Sequence, residues 1–276
     1  MSASCSRPPV ADASSGAVNS NRLLTFDGGC NFRDIGGYSG LEGRTVRWGR
    51  VYRAGVLSYF KDSDHPQLHR LQVRAICDLR RAEERAKEPT RWPDPNTQPL
   101  FFADGTNMPT IRAFAALRPQ TAAGMFDAMI DLYRALPEWM SARLRGMIES
   151  IAEDRVPMVV HCAAGKDRTG IAIGLLLAVL GVDRATIIED YLLTNASDFE
   201  SFIRSQHDAQ LGLADERHPL LGMPAEMRQV LLSAQPEFLE AAFEQVDRLG
   251  GLEGFLRDIC RVSDGTIEIV KQTLLS

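Results

Sequence analysis

The chain has 276 residues, 45% hydrophobic and 24% charged, with a formal net charge of −5 and a pI near 5.6. These values suit a soluble globular protein with a sizeable core and argue against a globally basic, nucleic-acid-binding surface. The five cysteines, at 5, 30, 77, 162 and 260, are odd in number and include no Cys-x2-Cys pair, which disfavours a disulfide framework or structural zinc and suits a reducing compartment.

Met1 to Asn21 is Ser/Ala-rich and lacks the basic-then-apolar pattern of a signal peptide. Residues 1–21 therefore read as a disordered tail and 22–276 as a single domain. Asn31 to Tyr38 carries adjacent glycines and reads as a loop; Thr45 to Tyr52 alternates and is compatible with a hairpin around Gly49. Val73 to Leu79 is a short apolar run that predicts a core strand, Arg91 to Pro99 a Pro-rich loop, and Leu100-Phe101-Phe102 a further strand. From Ala122 to Ile151 a helical period runs through Met125, Met129, Leu132, Leu136, Met140, Leu144 and Met147. A helix-rich region follows Asp183, with breaks near Gly212, His218-Pro219 and Pro236. No apolar run reaches the roughly 18 residues of a membrane span, so stable membrane insertion is not expected. Strands interleaved with helices predict an α/β fold whose central, largely parallel sheet is flanked by helices, with extra C-terminal helices packed on it.

The chemistry lies between the last strand and the helix after it. Val156 to Val160 reads as a buried strand and Ile171 to Leu180 as a buried helix stopped by Gly181. Between them runs His161-Cys162-Ala163-Ala164-Gly165-Lys166-Asp167-Arg168-Thr169-Gly170. A loop entering a helix N-terminus presents unpaired N–H groups that converge on an anion. Ala163, Ala164, Gly165, Lys166, Thr169 and Gly170 are the expected phosphate cradle. Cys162 is the expected thiolate nucleophile, and Arg168 returns a planar fork of donors to a phosphoryl group. A buried structural cysteine would leave the run Lys166-Asp167-Arg168 without a purpose. A Walker-type loop is excluded, since no glycine stands at Gly-x4-Gly-Lys spacing. Together these residues form a Cys-x5-Arg phosphatase signature.

Thr169 is expected to donate to the sulfur or to cap the helix, and His161 to order the loop from a buried position. Lys166 is either a solvated lysine or an extra cation for a second phosphate, as on a phosphoinositide. Asp167 is the first choice for the general acid. Its rivals are Asp94, in Trp92-Pro93-Asp94, and an unnamed carboxylate of a lid, with Asp131 weaker. Asp34 and Asp78 are expected to pair with nearby arginines and brace the loop, or else to touch substrate. His65, His69, His207 and His218 show no ligand spacing. No metal and no cofactor are expected.

Asn31-Phe32-Arg33-Asp34-Ile35-Gly36-Gly37, Tyr52-Arg53-Ala54-Gly55, Cys77-Asp78-Leu79-Arg80, the Cys162 loop and Asp190-Tyr191-Leu192-Leu193-Thr194-Asn195 occur in that order. The series, spanning about Leu23 to Ser276, resembles the bacterial and fungal tyrosine-protein phosphatase family typified by mycobacterial protein tyrosine phosphatase B. The resemblance implies a protein-tyrosine-phosphatase fold and an atypical dual-specificity or lipid phosphatase. Such an enzyme acts on phosphotyrosine, sometimes phosphoserine or phosphothreonine, and phosphoinositides. It also implies a helical lid at about 196–232. The competing readings are a dedicated phosphoinositide phosphatase and a catalytically silent phosphate-binding module. Partners are thus phosphorylated protein or phosphoinositide substrates, not nucleic acid. The setting is cytoplasmic, or exported without a recognisable signal peptide.

Overall fold

A computed structural model describes residues 22–102, 109–202 and 222–276. The expected tail at 1–21 lies outside the described residues, as do positions 203–221 of the expected lid, with His207, Gly212 and His218. Five strands, β1 (Arg33–Asp34), β2 (Val51–Ala54), β3 (Ala75–Asp78), β4 (Gln98–Leu100) and β5 (Met158–His161), form one sheet in the order β1-β2-β5-β3-β4. β1 runs antiparallel to β2 and every other pair is parallel. A mixed sheet with a single antiparallel edge strand is the expected α/β arrangement.

β5 lies at the centre because it is buried along its whole length. Its side chains alternate between two cores. Met158 and Val160, with Cys77, join a large cluster. That cluster is built with α4 (Ala122–Trp139), α5 (Ser141–Ala152), α6 (Asp167–Val179), α7 (Arg184–Leu192), α9 (Pro236–Arg248) and α11 (Asp264–Leu274). Val159, with Tyr52 and Ile76, joins an aromatic cluster on the other face with Phe26, Phe32 and Phe60. The register sets Ala54, Asp78 and His161 side by side at the strands' C-terminal edge. Cys162 follows directly, at the edge where parallel sheets hold their ligands.

The helix leaving that edge, α6, is apolar on nearly every side and buried from Thr169 to Leu177, which places it inside the core rather than on its surface. It ends in a Schellman arrangement, with Gly181 N–H donating to Ala178 O and Val182 N–H to Leu177 O. Gly181 has φ +76°, and a Cβ there would stand 2.4 Å from Leu41 Cγ.

Three expectations shift. Thr45 to Tyr52 is not a hairpin: Val46 bridges Leu275, while Arg47 N–H donates to Leu274 O. Val51 to Ala54, buried throughout, pairs instead with β5, because burying four residues in the sheet centre outweighs a local turn. The long helical period is two helices: Pro137 cannot donate within the last turn of α4, which ends at Trp139. The strand predicted at Leu100 to Phe102 lies at Gln98 to Leu100, with Pro99 tolerated on a sheet edge. Among the described residues no helix is long and apolar enough to cross a membrane.

Gly181→Ala is expected to lower stability in urea denaturation by about 1–3 kcal/mol, from the left-handed backbone and the clash with Leu41. A variant as stable as wild type would show that this helix end carries no such constraint.

Candidate active site

The Cys162 loop is shaped from outside. Ala163 O accepts from Val56 N–H at 2.8 Å. Asn31 Nδ2 donates to Ala164 O at 3.2 Å and Gly165 O at 2.9 Å, and Arg53 adds a second donor to Gly165 O at 2.9 Å. In a trans peptide the C=O of one residue opposes the N–H of the next. Carbonyls held outward at 163, 164 and 165 therefore turn the N–H groups of Ala164, Gly165 and Lys166 into the loop. The bend requires glycine at 165, where φ is +68° and a Cβ would sit 2.5 Å from Ala54 O.

Behind these donors lies a buried ion cluster. Asp190, on α7, accepts from Arg33 Nε at 3.2 Å and from Arg53 NH1 at 2.6 Å. Burial alone would raise the Asp190 carboxyl, but the two guanidiniums outweigh it and hold the group well below the ordinary carboxylate range. Asn31 has φ +53°, a conformation asparagine tolerates better than most residues. Its Oδ1 accepts from Arg33 while its amide grips the loop.

Cys162 is 2% exposed. His161 is fully buried, with Nδ1 3.2 Å from Cys162 O and Nε2 3.4 Å from Asp78 Oδ2. Asp78 pairs with Arg80 at 2.8 Å as expected. Burial pushes its carboxyl up, and the His161 and Arg80 contacts pull it further down, so Asp78 stays ionised.

Arg168 is braced by a residue that the sequence reading did not single out. Glu84, on α2 (Ala82–Lys87), accepts from both terminal nitrogens, at 2.8 and 2.7 Å. Two of the five guanidinium donors are thereby used, which leaves three for an anion. Burial opposes ionisation of Glu84, yet the hydrogen bonds and charge of Arg168, with Arg81, bring it down to about 2.

Asp167, the first residue of α6, lines a cavity of about 640 Å³ beside the loop with Ala163, Ala164 and Lys166. Ile111, Phe199, Leu231 and Leu232 give that cavity apolar walls, and at its edge Glu200 pairs with Arg228 at 3.1 Å while Asp198 accepts from Ser201. Asp167 Oδ1 accepts from the Tyr133 hydroxyl at 2.7 Å and lies 3.3 Å from Lys166 Nζ.

Several expected roles are placed differently. Lys166 is neither a solvated lysine nor a free cation: it is 2% exposed. Its ammonium donates to Ser233 O at 3.1 Å and to Leu231 O at 2.5 Å, at the end of α8 (Ala225–Leu232). Asn195 ties the same segment through reciprocal bonds with Ala234. The Thr169 hydroxyl is buried without a hydrogen-bond partner among the described residues, so it neither caps α6 nor reaches the sulfur. Gly170 gives room: a Cβ there would meet the Tyr191 ring at 2.9 Å. Among the described residues no arginine pairs with the Asp34 carboxylate, which accepts from Gly36 and Gly49 N–H at 2.8 and 2.7 Å. Its carboxyl is pushed up by burial despite those two bonds. Asp94 closes its own turn with Asn96 and lines another cavity with Trp92, while Asp131 pairs with Arg118.

A cysteine at the mouth of a loop whose carbonyls are held outward, beside a braced guanidinium, is the arrangement of a cysteine-dependent phosphatase. The chain belongs to the tyrosine phosphatase family, which it matches over residues 24–276. It is 31% identical over 274 residues to the triple specificity protein phosphatase PtpB of Mycobacterium tuberculosis, covering 90% of this chain and 97% of PtpB. It is equally 31% identical over 261 residues to a Cupriavidus necator protein that bears a provisional tyrosine-protein phosphatase name, covering 92% of this chain and 89% of that protein. A tyrosine-protein phosphatase of Nostoc commune is 28% identical over 230 residues, covering 80% of this chain and 73% of its own.

Glu84 ionises more easily in the folded chain than in the unfolded one, so its contribution is complete above the unfolded value near 4.5 and fades as pH falls toward 2. Glu84→Gln is expected to be less stable by roughly 2–3 kcal/mol at neutral pH, with the gap closing between about pH 4 and pH 2. Urea titrations across that range check it; a gap independent of pH would contradict the Arg168–Glu84 linkage.

Proposed function

We propose that the enzyme hydrolyses phosphotyrosine esters through a phosphocysteine intermediate, with Cys162 as nucleophile, Arg168 and the loop N–H groups as the phosphoryl clamp, and Asp167 as general acid. The observation that carries this reading is the loop itself: its carbonyls at 163, 164 and 165 are all taken from outside. Its N–H groups are thus fixed around one point at the N-terminus of α6 before any substrate arrives.

In the first step the Cys162 sulfur forms a bond to phosphorus while the phosphorus–oxygen bond to the leaving group breaks. Asp167 gives its proton to the departing oxygen. In the second, water attacks the phosphocysteine, Asp167 takes the water proton, and the thiolate leaves with inorganic phosphate. The guanidinium and N–H groups hold the equatorial oxygens through both steps, since phosphoryl transfer needs positioning and charge stabilisation above all. His161 and Asp78 support the loop from beneath.

The cavity's apolar walls favour an aromatic ester. Lys166, bound to two backbone carbonyls, does not offer a free cation to a second phosphate.

Cys162→Ser is expected to abolish turnover of a phosphotyrosine peptide while retaining its binding, because a serine hydroxyl leaves the anion site intact but lacks the thiolate. On a substrate panel, wild type should prefer the phosphotyrosine peptide over a phosphoinositide in kcat/KM. Turnover by clean Cys162→Ser protein would exclude covalent catalysis at this residue, and a preference for the lipid would reverse the substrate reading.

A further inference from the structure

We propose that Tyr133, backed by Tyr191, is a positioning residue that aims the Asp167 proton at the leaving group. This rests on the reading of Asp167 as the general acid. Tyr133, on α4, is fully buried, and its hydroxyl has two polar neighbours: Asp167 Oδ1 at 2.7 Å and the Tyr191 hydroxyl at 2.6 Å. A phenol has a single proton to donate. An ionised Asp167 has none, so Tyr133 donates to Asp167 and Tyr191 in turn donates to Tyr133. The direction of the chain is thereby fixed. Both phenols are pushed up, first by burial and then by the Asp167 charge, so they remain donors throughout the working pH range.

The consequence falls on Asp167. Its Oδ1 meets the Tyr133 hydroxyl and Lys166 Nζ together. Asp167 lines the cavity, and since its Oδ2 has no hydrogen-bond partner among the described residues, Oδ2 is the oxygen assigned to the leaving group. A proton on this carboxyl therefore resides on Oδ2, where a departing oxygen can take it. Without the tyrosine, a carboxylate at the first position of α6 would turn toward the free N–H groups of the helix start. Those are the groups that must receive the phosphate. Tyr133 thus holds Asp167 away from the anion site as well as toward the leaving group.

The surroundings are built to keep this chain in place. The Tyr133 ring packs on Phe238 of α9 with centroids 5.6 Å apart and meets Tyr191 edge-on at 6.2 Å. Gly170, one turn into α6, has no side chain and so admits the Tyr191 ring. Phenylalanine at 133 would fill the same space, so it is the hydroxyl that needs explaining, and its charged partner is Asp167.

The test compares kcat/KM, which reports the step that breaks the leaving-group bond and not the later hydrolysis, for p-nitrophenyl phosphate, a good leaving group, and phenyl phosphate, a poor one, in wild type, Tyr133→Phe, Asp167→Asn and the double variant. Tyr133→Phe is expected to lose about tenfold on phenyl phosphate and less than about twofold on p-nitrophenyl phosphate, the size expected of one hydrogen bond to a charged group. It should also shift the alkaline limb of the pH profile, and the double variant should match Asp167→Asn alone. Leaving-group dependence in Asp167→Asn but none in Tyr133→Phe would overturn the positioning role and keep the acid. Equal losses on both substrates in Asp167→Asn would remove the acid assignment, and the proposal with it. Should Tyr133→Phe not fold, Tyr191→Phe is read the same way: a selective loss on phenyl phosphate supports the chain and a uniform one contradicts it.

Discussion

One carboxylate between two guanidiniums, all buried under the Cys162 loop, is the interaction on which the site depends. Asp190, Arg33 and Arg53 are each no more than 1% exposed. Removing three charges from water costs several kcal/mol per ion and is offset only when geometry and hydrogen bonding are nearly complete. Here Asp190 Oδ1 meets Arg33 and the Tyr38 hydroxyl, while Oδ2 meets Arg53. One further donor of each arginine reaches the loop, Arg53 directly at Gly165 O and Arg33 through Asn31, while Arg53 Nε is buried without a partner among the described residues. The cluster carries one more positive than negative charge. It therefore turns the loop carbonyls out and also leaves a field that favours an anion within the loop.

The loop is fixed from two further directions. Glu84 holds the Arg168 fork flat from the α2 side, so the guanidinium need not be ordered when a phosphate arrives. On another side Lys166 ties the loop to Leu231 and Ser233, and Asn195 holds the neighbouring Ala234 in place. Cavity shape and loop order are thereby connected, because the residues that strap the loop down also wall the cavity next to it. A loop cation that sequence suggests for a second phosphate is instead a structural cross-tie.

Much of this was legible in the chain itself. The strand, loop and helix around Cys162 follow from two apolar runs flanking a charged decapeptide, and Asp78 with Arg80 from their adjacency. The parallel sheet follows from the alternation of short and long apolar runs. What escaped has a common cause: contacts between residues far apart in sequence leave no local trace. Glu84 sits in an ordinary charged helix, and only the fold brings it 84 residues forward to Arg168. Tyr133 looks like one more apolar position in a helical period. Asn31, Arg53 and Asp190 stood inside the motifs that carry the family resemblance, yet no local rule says that they converge beneath one loop. For Thr169 the sequence offered the Cys162 sulfur or a helix cap, and for Lys166 solvent or a second phosphate, because it does not show which protein groups lie nearer.

The central claim is that carbonyls held outward aim the loop N–H groups at phosphate, and Asn31→Ala tests it most directly, because Asn31 grips two of those carbonyls at once. The measurement is the competitive inhibition constant of inorganic phosphate, read alongside urea stability. The account predicts phosphate binding weaker by about tenfold, with a stability loss of only about 1–2 kcal/mol. Unchanged phosphate affinity in a folded Asn31→Ala protein would show that the loop keeps its shape without these bonds and would contradict the claim.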